Sequence, residues 1–322
     1  MESAVELKGV RKSFGSVAAV RDLDLAIPPG ALYGVIGPNG AGKTTTIRLI
    51  MSILLPDGGQ VSVLGCASAL EAKERIGYLP EERGVYRKMR VGKFLIYMGH
   101  LKGVDERVST QRAREYLARL GLEKFERSRC EELSKGMLQK VQFIAAILHR
   151  PELLILDEPF SGLDPVSAKV LRELLMEEHR RGTTILLSTH VMSHAEEFCQ
   201  RVVMINRGRK VLDEAISTIK RQYVARTVIL EPLEDQPGDL GALRALGVVE
   251  SVERVAEGYK VVLAEGANSR DALPRIAAAV PPARIELSRL TLEDVFLQRV
   301  AQEQEIAAQK SPPIEALRTT PA

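Results

Sequence analysis

The chain has 322 residues and a mass of 35.4 kDa, with 45% hydrophobic and 27% charged residues, room for one large α/β domain and a small second one. A net charge of +3 with no lysine- or arginine-rich block is too mild to argue for a nucleic-acid surface, and with no Trp and only 4% aromatics a base-stacking platform is not indicated. The three cysteines, Cys66, Cys130 and Cys199, form no C-x-x-C pair, which argues for a reducing compartment and against disulfides or a zinc knuckle. No apolar run approaches the roughly 18 residues of a membrane span, and the acidic N-terminus lacks a signal-peptide core, so a cytosolic chain is expected.

In chain order, residues 5–10 and 23–27 alternate as strands do, and the turn Pro28-Pro29-Gly30 separates them from the next element. Residues 32–36 read as a strand and 45–51 as a helix. Between them stands Gly37-Pro38-Asn39-Gly40-Ala41-Gly42-Lys43-Thr44, which satisfies G-x-x-x-x-G-K-[ST] at every position. That pattern arises by chance in roughly one chain in a hundred of this length. Its chemistry is that of a phosphate loop. Glycines let backbone N–H groups converge on phosphate oxygens, and the helix N-terminus favours negative charge. Lys43 would reach the β- and γ-phosphates of a nucleotide, and the Thr44 hydroxyl would ligate Mg²⁺.

Residues 58–65 read as a short edge strand. From about 90 to 150 the period is helical, as in Ala113, Tyr116, Leu117 and Leu120, and Ser134 is placed to cap a helix whose apolar face is Leu138, Val141, Ala145 and Leu148. The continuous apolar runs 153–156 and 184–188 mark strands buried on both faces of a parallel sheet. Asp157-Glu158 ends the first run, where ligands bind in such sheets. Asp157 could hold Mg²⁺, and Glu158 could polarise an attacking water as general base. After about residue 218 a smaller α+β unit is expected, with strands at 227–230, 260–263 and 284–287, a loop at 231–238 and a disordered tail at 301–322.

Leu133-Ser134-Lys135-Gly136-Met137, then Ser161-Gly162-Leu163-Asp164, then Ser188-Thr189-His190, stand in order around the phosphate loop and Asp157-Glu158. Together these five motifs resemble an ATP-binding cassette, the nucleotide-binding subunit of ABC transporters. The resemblance covers residues 1 to about 218 and implies a RecA-like core with an antiparallel β edge and a helical subdomain at about 87–150. It implies that Phe14 stacks on adenine, a core phenylalanine being the alternative reading. Residues 37–44 together with Thr45 would hold the triphosphate. Ser134, Lys135 and Gly136 would form the signature loop that completes the opposite subunit's ATP site, Asp164 would tie the two sites across a dimer, and His190 would hold the catalytic water and Glu158.

Two departures stand out. Glu81, after Ile76-Gly77-Tyr78-Leu79-Pro80, replaces the usual Gln; it keeps an oxygen for Mg²⁺ and loses a donor. Lys135 replaces a glycine of the signature, and Met137 stands where Gln is common. With the ending Thr291-Leu292-Glu293-Asp294-Val295-Phe296-Leu297, these features resemble the bacterial ABC-2-type export branch, which includes sodium-extrusion and drug-resistance members. What this implies is a homodimer sandwiching two Mg–ATP, cytoplasmic and peripheral to the inner face of the membrane. Separate ABC-2-type permease subunits would meet it near residues 82–86, with no nucleic-acid partner. A soluble cassette acting on ribosomes or DNA is the other class; a single phosphate loop with no heptad run and no basic patch weighs against it. His194, one turn beyond His190, is expected to be a surface helix residue rather than a metal ligand.

Overall fold

A computed structural model describes residues 3–82, 84–222, 226–233, 240–255, 258–288 and 291–310. Two compact units result, one of Met1–Ile216 together with the chain from Arg299 onward and one of Ser217–Gln298.

The first unit opens with β1 (Val5–Phe14) and β2 (Val17–Ile27), an antiparallel hairpin. Val5, Leu7 and Val10 of one strand and Leu23, Leu25 and Ile27 of the other are buried, as their alternation predicts. β3 (Leu32–Ile36) leads into α1 (Lys43–Ile50), and β4 (Gly58–Val63) then pairs with β1 alone, giving the three-stranded order β2-β1-β4 with β4 at an edge. β5 (Ile76–Leu79) comes next, then α2 (Val91–Leu101), α3 (Glu106–Arg119) and α4 (Lys135–Ile147). β6 (Leu153–Asp157), α5 (Pro165–Arg180), β7 (Thr184–Thr189), α6 (Met192–Phe198), β8 (Arg201–Asn206) and β9 (Arg209–Ala215) complete the unit.

The second sheet has the order β5-β6-β7-β3-β8-β9, parallel throughout except for the antiparallel edge β8–β9. Every residue of β3, β6 and β7 is buried, as expected of strands covered on both faces. One core joins the two sheets, with Val5, Leu25 and Ile27 packed together with Tyr33, Ile47, Ile155 and Leu186. The carboxyl ends of β3, β6 and β7 therefore lie side by side, which is where the chemistry collects. Helix α4 is more buried than its expected apolar stripe, since Gln139 and the whole of Val141–Ile147 lie inside.

α7 (Ile216–Gln222) leads out of this unit. The second comprises β10 (Thr227–Pro232), α8 (Leu240–Arg244), β11 (Val249–Val255), β12 (Gly258–Leu263), α9 (Ser269–Ala279) and β13 (Pro282–Ser288). Its antiparallel order β11-β12-β10-β13 is that of a β-α-β-β-α-β ferredoxin-like fold. Val228, Leu230 and Val261 of the sheet and Leu243, Ala272 and Ile276 of the helices form its core. The three expected strands are present, and β11 is additional. The expected loop at 231–238 begins inside β10, and its residues 234–238 lie outside the described residues, as does Arg83 of the segment 82–86. α10 (Leu292–Lys310) continues through the start of the expected tail, which is therefore helical as far as Lys310; residues 311–322 lie outside the described residues. Among the described residues no helix is long and apolar enough to cross a membrane.

Candidate nucleotide site

The loop between β3 and α1 is held by two glycines that tolerate no side chain. Gly37 has φ +153°, and a Cβ there would lie 2.1 Å from the Ile205 carbonyl oxygen. Gly42, the N-cap of α1, has φ +108°, and its Cβ would lie 2.4 Å from the Ala19 carbonyl oxygen. The loop is thus pressed against β8 on one side and β2 on the other. Lys43 is buried and folds back over it, donating to the carbonyls of Gly37 at 2.8 Å and Pro38 at 3.1 Å. Burial pushes the Lys43 ammonium below its ordinary range, and the carboxylates of Glu158, Asp157 and Glu81 pull the other way.

Those carboxylates come from strand ends. Asp157 closes β6 and is fully buried; its Oδ1 accepts from the Ser188 hydroxyl at 2.7 Å, and its Oδ2 has no partner. Burial raises its carboxyl above the ordinary range against the opposing pull of the Ser188 and Thr44 hydroxyls. Glu158 is next, with φ +50°, a left-handed conformation that costs a non-glycine residue free energy. Its N–H donates to the Ser188 carbonyl at 3.0 Å, which keeps the turn in register with β7. Its Oε1 accepts from the His190 backbone N–H at 2.8 Å and lies 2.7 Å from His190 Nδ1, and its Oε2 accepts from the Thr189 hydroxyl at 3.2 Å.

Around these groups lies a cavity of about 530 Å³. Asn39, Gly40, Gly42, Lys43, Thr44 and Thr45 form one wall, and Glu81 and Glu158 stand beside them. The remaining wall was not foreseen in the sequence. It consists of Val17, Ala18, Ala19 and Arg21 of β2 with Arg207 and Gly208 of the β8–β9 turn. The only sequence signal for these residues was a turn dipeptide between two strands.

Phe14 is 49% exposed, which excludes the core alternative, and it pairs across the hairpin with Val17 of the cavity wall. Gly37, Pro38 and Ala41 support the loop without lining the cavity, and the signature residues stand apart from it. Ser134 caps α4 by accepting from the Met137 N–H at 3.3 Å, and a Cβ on Gly136 would lie 3.0 Å from the Gly162 carbonyl oxygen. Asp164 caps α5 through the Ser167 N–H at 2.9 Å and the Ser167 hydroxyl, bonds that hold its carboxyl below the ordinary range. His194 is half-buried on its helix. Its ring stands edge-on to Phe160 at 5.3 Å and beside Phe198, and no metal-binding cluster of His, Cys, Asp and Glu exists among the described residues.

A phosphate loop at the carboxyl end of a central parallel strand, faced by two acidic strand-end residues, defines a P-loop nucleoside triphosphatase. The family model described as ABC transporter matches residues 20–161, and one described as the DrrA1-3-like ATP-binding protein C-terminal domain matches residues 215–300. Among curated relatives, the chain is 38% identical to the uncharacterized ABC transporter ATP-binding protein YhaQ of Bacillus subtilis, over 90% of this chain and 96% of that one. It is 32% identical to the Nod factor export ATP-binding protein I of Bradyrhizobium diazoefficiens, over 94% and 98%. A solved ATP-binding subunit of an ABC transporter aligns with TM-score 0.64 at 32% identity, over 68% of this chain and 93% of that one. The ABC cassette MJ0796, solved as a dimer, aligns with TM-score 0.61 at 22% identity, over 66% and 98%, a likeness of fold. The chain belongs to the ATP-binding subunits of ABC transporters.

Proposed function

We propose that this subunit hydrolyses ATP as one half of a head-to-tail homodimer and drives export through separately encoded membrane subunits. The observation that carries this reading is a division within one chain. Lys43, Thr44 and Glu158 line one cavity, with His190 bonded to Glu158 and Asp157 preceding it in the chain, while Ser134, Lys135 and Gly136 stand apart from it. A second copy's signature helix would complete the enclosure around each triphosphate.

In that site Lys43 exchanges the Gly37 and Pro38 carbonyls for β- and γ-phosphate oxygens. Glu158 takes a proton from the attacking water, and His190 holds its carboxylate in place. The donors fit Mg²⁺, a hard cation that takes oxygen ligands: Asp157 has a buried oxygen without a partner, Thr44 is its neighbour, and Glu81 lines the same cavity. Thr44, Asp157 and Glu81 would hold the ion, whose chemistry is to neutralise charge developing on the phosphates. Phe14 would stack on adenine, and Asp164 would lie at the dimer interface.

The names of the Nod factor export relatives support export rather than uptake. Tyr86 and Tyr97, both exposed with rings edge-to-face at 5.6 Å, offer an aromatic surface on the helical subdomain for a membrane partner. Such a partner would keep the subunit at the inner face of the membrane. The test is Glu158→Gln with Mg–ATP. Hydrolysis should fall at least about 100-fold, a dimer should accumulate in size-exclusion light scattering, and a polytopic membrane protein should co-purify from the host. Lys43→Ala should stay monomeric and bind no ATP. Hydrolysis near the normal rate in Glu158→Gln would remove the general-base role, and recovery of ribosomal partners alone would remove the transport role.

A further inference from the structure

The turn between β8 and β9 carries strain that its own packing does not explain. Asn206 pairs with Arg209, so Arg207-Gly208 is a two-residue hairpin turn. Both residues are left-handed, with φ +48° and +77°, the signs of a type I′ turn. Asn, Asp or Gly adopts the first of these positions cheaply, and Arg does not.

Gly208 has a structural reason to be there. Its N–H donates to the Ala41 carbonyl at 2.8 Å, its carbonyl accepts from the Arg21 N–H at 2.8 Å, and a Cβ would lie 2.7 Å from the Ala19 carbonyl oxygen. The turn is therefore fastened to the phosphate loop on one side and to β2 on the other. Arg207 has no such reason. Among the described residues its exposed side chain has no hydrogen bond or ion pair, and it lines the nucleotide cavity. Of the six non-glycine residues described with left-handed backbone, only Glu158 and Arg207 line that cavity. Strain kept at a site without a packing reason points to function.

The cavity is also charged unevenly. Its carboxylates, Glu81 and Glu158, stand with Lys43 and Thr44, where metal and γ-phosphate would lie. Arg21 belongs to β2, and Arg207 to the turn bonded to it. A nucleotide lying with its terminal phosphate at the first end presents its α-phosphate and nucleoside to the second. Arginine pairs with phosphate oxygens through a planar fork of N–H donors.

We propose that Arg207 is a nucleotide-binding residue whose guanidinium pairs with the α-phosphate. The inference rests on the cavity being the nucleotide site. Arg207→Asn suits the turn better and removes the cation, whereas Arg207→Lys keeps the charge. In calorimetric titrations of the full chain, Arg207→Asn should weaken Mg–ATP, Mg–ADP and Mg–GTP alike by about fivefold, as befits a solvent-accessible charge-assisted bond. Its affinity should also depend less on salt. Arg207→Lys should stay within about twofold of the parent chain, and Arg207→Asn should melt no lower than the parent without nucleotide. Unchanged affinities in Arg207→Asn, a loss for ATP but not GTP, or a lower nucleotide-free melting temperature would overturn the proposal. Failure of the parent chain itself to bind nucleotide would instead sink the reading of the site.

Discussion

Replacing Asp157 by Asn should make the nucleotide-free protein more stable and its nucleotide complex less so. The carboxylate is fully buried at the end of β6, Oδ2 has no partner, and burial raises its carboxyl above the ordinary range. A native state that holds this proton more tightly than the unfolded chain loses stability as pH rises from the unfolded value through the raised folded one, so the penalty grows from acid towards neutral pH. Asparagine keeps an oxygen for the Ser188 hydroxyl, bonded at 2.7 Å in the parent, and removes the charge. An unsatisfied buried polar atom costs about 1–3 kcal/mol; because the amide nitrogen still needs a partner, the expected gain is about 1–2 kcal/mol. For a unit of this size that is a rise of roughly 2–8 °C in melting temperature. The assay is thermal unfolding at pH 7 and again below the ordinary carboxylate range, each with and without ATP and Mg²⁺. The gain should be present at pH 7 without ligand and shrink in acid, while the Mg²⁺-dependent part of the stabilisation by ATP should disappear. A lower melting temperature at pH 7 without ligand, or an intact Mg²⁺ response, would refute the reasoning.

The phosphate-loop glycines should separate by geometry. Gly42→Ala, with φ +108° and a Cβ 2.4 Å from the Ala19 carbonyl oxygen, should cost about 3 kcal/mol or more and abolish nucleotide binding. Gly40→Ala, with φ +75° and no heavy atom within 4 Å of its Cβ, should cost only about 1 kcal/mol; equal losses in denaturant titrations would contradict the steric argument. His149 should set part of the acid sensitivity. Burial first, then Lys102, push its imidazole down to about 4 against the Ile76 carbonyl, which lies 3.2 Å from Nε2. The unfolded chain then binds the proton more readily, so stability falls as pH drops from about 6.5 towards 4, by up to about 3 kcal/mol. His149→Gln should flatten that slope, and an unchanged slope would rule out His149 as its source.

What the sequence disclosed was local. The phosphate loop needs specific residue types at fixed spacing, and β6 and β7 are continuous apolar runs because both faces of their sheet are covered. β11 escaped because Val249, Val252 and Val255 recur every third residue, and the bulge between Val249 and Ser251 breaks the strand period at its start. Arg207 and Val17 share a cavity wall across a long stretch of chain, and no pattern of neighbours announces that. His194 looked like a helix-surface residue because its aromatic neighbour Phe160 comes from the turn after β6.

The deeper gap concerns rules that are broken together. Lys43 buries an ammonium against loop carbonyls, Asp157 leaves a buried oxygen without a partner, and Glu158 holds a left-handed backbone. Each is unfavourable alone, and a sequence read in windows can name the residue types without seeing the cost. A fold tolerates such conflicts where function requires them. Here a bound nucleotide and its metal would answer two of them at once, offering phosphate oxygens to Lys43 and a cation to Asp157. That common relief is a stronger argument for the site than the motif alone, because a phosphate-loop pattern formed by chance would have no reason to gather unmet charges around it.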